Sequence, residues 1–130
     1  MRLTALALML LPMPALAAEP MSAAEFEAYS TGKTLYYGNG DMPYGVEQYL
    51  PGRKVVWAFV GQECRHGAWY ERDGLICFVY EHEPGEQCWS FYALPGGLMA
   101  QFAGDEDSEP LVEVNQTPNP MHCPGPDVGA

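Results

Sequence analysis

The chain has 130 residues, 17 of them acidic and 6 basic, for a net charge of −11. A chain this acidic repels phosphate backbones and anionic headgroups, which argues against nucleic acid or a membrane surface as partner. With 48% hydrophobic residues it is too apolar to be disordered, and its length fits one domain.

Met1-Arg2 is a short positive start, Leu3 to Leu11 carries no charge, and Ala15-Leu16-Ala17-Ala18 follows Pro12 and Pro14. That is the plan of a secretory signal over residues 1–18, cut after Ala17 or Ala18. Pro12 and Pro14 argue against a core helix there. No cysteine follows the cut, so no lipid anchor is expected. No later apolar run reaches the roughly 20 residues of a membrane span. Arg2 is the leader's single charge, so the product stands at −12, and it is expected to be periplasmic or secreted.

Ser22-Ala23-Ala24-Glu25 is a capping-box pattern, which predicts a helix over 23–30 that stops at Gly32. Beyond it the turn dipeptides Asn39-Gly40, Pro51-Gly52, Asp73-Gly74, Pro84-Gly85 and Gly96-Gly97 separate β-branched and aromatic runs. Strands are predicted at 34–38, 44–50, 54–60, 67–71, 75–81, 87–94, 98–102 and 111–114. The fold class is therefore mainly β: an antiparallel up-and-down meander or small barrel with one short N-terminal helix, forming a single domain over 19–116. Residues 55–60 are apolar on both faces and predict a well-covered strand. Residues 104–110 read as an exposed acidic loop. Pro118, Pro120, Pro124 and Pro126 exclude regular structure from a tail over 117–130, which Cys123 would tether.

Cys64, Cys77, Cys88 and Cys123 are an even set in an exported chain, so two disulfides are expected. Cys77 and Cys88 flank a hairpin whose turn lies near Glu83-Pro84-Gly85. A register that sets them opposite each other also sets Ile76 opposite Trp89. This favours Cys77–Cys88 and leaves Cys64–Cys123 to hold the tail.

Asp105-x-Asp107-x-Glu109 imitates the start of a calcium loop, but Pro110 stands where glycine is required and Gln116 where a bidentate glutamate is required. Met121 and His122, beside Cys123, are candidate copper ligands that Met42, His66 and His82 could join. The serines lack a nucleophile-elbow setting, and an oxidised Cys64 beside Arg65 and His66 could not attack a substrate. No cofactor is implied. Aromatics are the densest chemical signal, and Trp57, Trp69, Phe78, Tyr80, Trp89 and Phe91 are the candidate ligand-contacting set. A small barrel either packs such side chains solid or holds one small guest among them.

Gly67-Ala68-Trp69, Cys77-Phe78-Val79-Tyr80 and Cys88-Trp89-Ser90-Phe91 resemble the G-x-W, C-x-x-Y and C-W signature of a group of small exported proteobacterial proteins of unknown function. The resemblance spans 34–102 and implies a periplasmic β-rich product without implying an activity. The expected function is a non-enzymatic periplasmic or secreted binding module for a small apolar or aromatic ligand, or for a protein partner. The alternatives are a copper-handling protein and an acidic inhibitor of a basic hydrolase.

Overall fold

The Ser22 hydroxyl accepts from the Glu25 amide at 3.1 Å, and the Glu25 carboxylate accepts from the Ser22 amide at 3.4 Å. This closed capping box starts α1 (Ala23–Ser30) in the computed structural model, which describes residues 11–13 and 18–123. The leader read over 1–18 falls outside the described residues except at 11–13 and 18, as do residues 124–130 of the tail. After α1, Gly32 takes a left-handed φ of +85°, which lets the chain turn sharply. Its amide donates to the Tyr49 carbonyl, delivering the chain into the sheet.

Eight antiparallel strands follow: β1 (Thr34–Asn39), β2 (Met42–Leu50), β3 (Lys54–Phe59), β4 (Arg65–Arg72), β5 (Leu75–Tyr80), β6 (Gln87–Leu94), β7 (Gly97–Phe102) and β8 (Leu111–Thr117). Each pairs with its neighbour in sequence, and β8 closes on β1, so the sheet is a complete up-and-down barrel. Closure leaves no edge strand to recruit other chains. β8 runs three residues past its expected end because β1 pairs with it as far as Thr34↔Thr117.

Strand parity sends one side-chain set inward. Leu35, Tyr37, Tyr49, Val55, Trp69, Ile76, Phe78, Phe91, Leu98, Ala100 and Leu111 form the buried core. α1 closes one end by inserting Phe26, which is wholly buried. Its ring lies 4.3 Å from that of Phe91, 5.1 Å from Trp69 and 5.5 Å from Tyr49. The β2–β3, β4–β5 and β6–β7 turns lie at this closed end. The other four connections, including the acidic loop before β8, surround the opposite mouth.

Two disulfides join Cys77 to Cys88 and Cys64 to Cys123, consistent with an oxidising, extracellular setting. The first links residues directly opposite on β5 and β6. The second draws the tail across the outside of β2 and β3, where buried Met121 covers Val56 and Ala58. That contact supplies the cover expected for the strand that is apolar on both faces. Thr34 Oγ1 donates to the Asn119 carbonyl at 2.7 Å, fixing the same segment to β1. No helix among the described residues is long and apolar enough to cross a membrane.

Candidate functional site

Inside the mouth half of the barrel, the side chains leave a cavity of about 50 Å³. A buried water occupies roughly 10–15 Å³ on this measure, so the space suits a group of about three to five non-hydrogen atoms. It is far smaller than the roughly 300–1,000 Å³ of sites for drug-sized ligands. Most of the aromatic side chains therefore fill the interior, and only a small guest fits among them.

Two strand glycines shape the walls. Gly45 faces the barrel interior on β2, and a Cβ there would collide with the Trp57 indole. Gly67 pairs with Tyr80 across β4 and β5, and a Cβ there would collide with the Val79 carbonyl and the Tyr80 ring. The absent side chains thus give Trp57 and Tyr80 their places along the cavity. Tyr44 and Phe59 extend the Trp57 wall, with centroids 6.0 and 5.4 Å from the indole. The Tyr80 ring stacks on Phe78 at 6.2 Å.

Glu47, only 4% exposed, is the acidic group on the inner wall. Its Oε1 accepts from the Tyr80 hydroxyl at 2.8 Å. Oε2 has no hydrogen-bond partner among the described residues, and because no fully enclosed side-chain oxygen among them lacks a partner, it opens onto the cavity that the residue lines. Burial pushes the Glu47 pKa up from 4.5 to about 8, against the opposing effect of the Tyr80 hydrogen bond. At neutral pH the empty site therefore holds mainly the neutral acid. The Tyr37 and Tyr49 hydroxyls bond each other at 2.9 Å on the same wall. Burial is the chief cause that raises the pKa values of Tyr37, Tyr49 and Tyr80 well above 10, so all three stay neutral. Glu83 and Gln87 stand among the lining residues at the mouth, and Glu83 is ion-paired with Arg65.

The mouth is strongly electronegative. Its four loops hold Asp41, Glu63, Glu81, Glu83, Glu86, Asp105, Glu106, Asp107 and Glu109 and no lysine or arginine. Arg65, at the start of β4, is the nearest cation by position. Lys33, Arg53 and Lys54 lie at the closed end, and Arg72, at the end of β4, is ion-paired with Glu86.

Five of the six expected aromatics, Trp57, Phe78, Tyr80, Trp89 and Phe91, line the cavity. Trp69 does not. It packs under Phe26 with the Arg53 guanidinium 4.4 Å above its ring, because its position on β4 falls in the half that α1 plugs. Of the copper candidates, Met121 is buried against β3 and His122 is exposed. Among the described residues, the one close group of three His, Cys, Asp or Glu ligands is Cys77, Glu86 and Cys88, whose sulfurs are bonded to each other. Glu47 and Gly45 escaped sequence reasoning, and Gly67 entered it only as part of the G-x-W resemblance, without its role in shaping the wall. Their signals were a carboxylate at an inward position of an alternating strand and glycines inside strands, a mark of close approach.

The cavity can hold a small guest, press aromatic surface against it and offer it one carboxylate oxygen. No serine, threonine, cysteine, lysine or histidine is among its lining residues. No family model, no curated protein and no solved structure matches this chain.

Proposed function

We propose that the protein is a non-enzymatic binding module, periplasmic or secreted, that takes a small molecule or the small head of a larger one into the mouth of its barrel. The observation that carries this reading is the half-satisfied carboxylate of Glu47 facing a cavity in an otherwise filled aromatic core. Burying such a group costs stability. A ligand supplying the missing partner would repay that cost, whereas a purely structural interior would have no need of the carboxylate.

The three tryptophans make the test internally controlled. Trp57 and Trp89 line the cavity and Trp69 lies outside it. Compounds of three to five non-hydrogen atoms, from several chemical classes, are screened against indole N–H resonances. At least one class should shift Trp57 and Trp89 while leaving Trp69 in place. Ala100→Leu, which fills the cavity floor, should abolish the shift. Failure of every class, or shifts indifferent to Ala100→Leu, would overturn the reading.

The acidic mouth loops favour a second reading, docking of a basic protein such as a hydrolase. It predicts association that weakens steeply as salt rises. Binding insensitive to ionic strength would remove it.

A further inference from the structure

The geometry points to a ligand class: a small organic cation, an alkylammonium group of about three to five non-hydrogen atoms, held between the aromatic walls of the mouth with Glu47 as its counter-charge. This deepens the proposed binding function and rests on it.

Four independent features converge on that class. Glu47 offers one carboxylate oxygen without a protein partner, on a residue almost wholly buried at the cavity wall. Tyr44, Trp57, Tyr80 and Trp89 surround it with π systems, which attract cations. Of the nine mouth-loop carboxylates, Glu83 and Glu86 are ion-paired with Arg65 and Arg72, and the other seven draw cations toward the opening and turn anions away. The volume admits an ammonium with two to four carbons and excludes a larger rigid body. Other occupants fit worse. A hard metal ion wants six or more oxygen ligands, and the wall supplies one free carboxylate oxygen amid rings. A neutral apolar guest would leave that oxygen unpaired.

Binding should be coupled to proton release. At neutral pH Glu47 holds its proton. A cation beside it favours the ionised form, so the proton leaves to solvent as the ligand enters. The other groups that face Glu47 do not supply this proton. Tyr37 on β1, Tyr49 on β2 and Tyr80 on β5 remain neutral. Leu35 on β1 and Trp57 on β3, its cross-strand partners, carry no ionisable group. Glu83 at the rim is paired with Arg65. Glu113, which acts on Tyr37 from β8, is held by three donors. His66 and His82 are exposed near the mouth and are retained in the control variant below.

The test is calorimetric titration of the full chain with trimethylammonium and tetramethylammonium chlorides. Sodium chloride serves as the ionic control and tert-butanol as a neutral probe of similar size. The methylated cations should bind, and affinity should fall about tenfold per pH unit below about pH 8. At pH 6 to 7, titrations in buffers of different ionisation enthalpy should show close to one proton released per cation, falling away above about pH 8. Glu47→Gln should weaken binding roughly ten- to a hundredfold and remove the proton release. Tyr80→Phe, which keeps the ring, should retain cation binding above pH 8 and weaken it at pH 7, which separates loss of the site from loss of the fold. Equal binding of tert-butanol and the cations, unaffected by Glu47→Gln, would overturn the cationic class and leave a mouth-cavity binding module standing. No binding of either cation above pH 8 would also overturn it, and the wider indole screen would then decide the parent reading by itself.

Discussion

The two ends of the barrel each hold an acidic side chain, and the two are treated differently. At the closed end, Glu113 Oε2 accepts from the Tyr29 hydroxyl at 2.7 Å and the Leu98 amide at 2.8 Å, while Oε1 accepts from Gln116 at 2.8 Å. Its donors come from α1, β7 and β8, so this carboxylate ties the plug to the wall. At the mouth, Glu47 has one donor and a cavity. A satisfied carboxylate holds structure together, whereas one whose second oxygen opens onto a cavity keeps a site.

The largest effect that would break this division is loss of the plug. Phe26→Ala removes a ring touching four other aromatics, and should destabilise by about 3–5 kcal/mol in chemical denaturation. If the closed end is the structural half, the indoles of Trp57 and Trp89 should keep their ligand response whenever the variant is folded. A cost under about 1 kcal/mol would mean that α1 merely rests on the barrel.

Next in size is the tail. Cys64 and Cys123 are 59 residues apart. Replacing both with serine should cost about 2–5 kcal/mol and expose Val56 and Ala58, read as faster proteolysis near residue 117. The Trp57 and Trp89 resonances should stay in place, because the bridge acts on the outer face of the barrel.

Much of the fold could be read from the residues. The capping box at Ser22 and Glu25 set the helix. Turn dipeptides marked five of the seven connections between the eight strands. The inward parity of Ile76 and Trp89 agreed with a bridge between Cys77 and Cys88. These are local signals, each contained within a strand, a turn or a hairpin. The site was less legible because it depends on which inward positions meet around a closed barrel. Trp69 and Trp57 look alike along the chain, yet α1 covers one and the mouth exposes the other. Glu47 sits among Tyr44, Val46 and Tyr49 as one of 17 acids. Its importance follows from Tyr80, 33 residues away, lying across the barrel from it. Gly45 and Gly67 were readable as strand glycines, but which rings needed their space is a tertiary fact.

At the closed end, Glu113→Ala sharpens the contrast with a smaller effect. The buried Leu98 amide and the Tyr29 hydroxyl lose their acceptor, which should cost about 1–3 kcal/mol. Tyr29 also reports directly. Its pKa is raised to about 12, first by burial and then by its hydrogen bond to Glu113 and that group's negative charge. Spectrophotometric titration of the variant should place Tyr29 lower than in the parent. An unchanged Tyr29 would show that burial alone sets its value.

Glu47→Gln should act in the opposite direction, and the sign follows from proton linkage. Between pH 4.5 and about 8 the folded chain keeps a proton on Glu47 that the unfolded chain has released. Folding takes up that proton, so this group's contribution is complete below pH 4.5. It then weakens by at most about 1.4 kcal/mol per pH unit and levels off above 8. Glutamine cannot ionise and keeps an oxygen to accept from Tyr80. The difference in stability between variant and parent should therefore grow in the variant's favour as pH rises through that window, measured by urea unfolding at pH 5, 6, 7 and 8. Subtracting the parent cancels the pH dependence of the other carboxylates, which both chains share. A difference that stays flat would mean Glu47 is as well solvated folded as unfolded, and the mouth would then be a polar opening with no buried charge to offer a ligand.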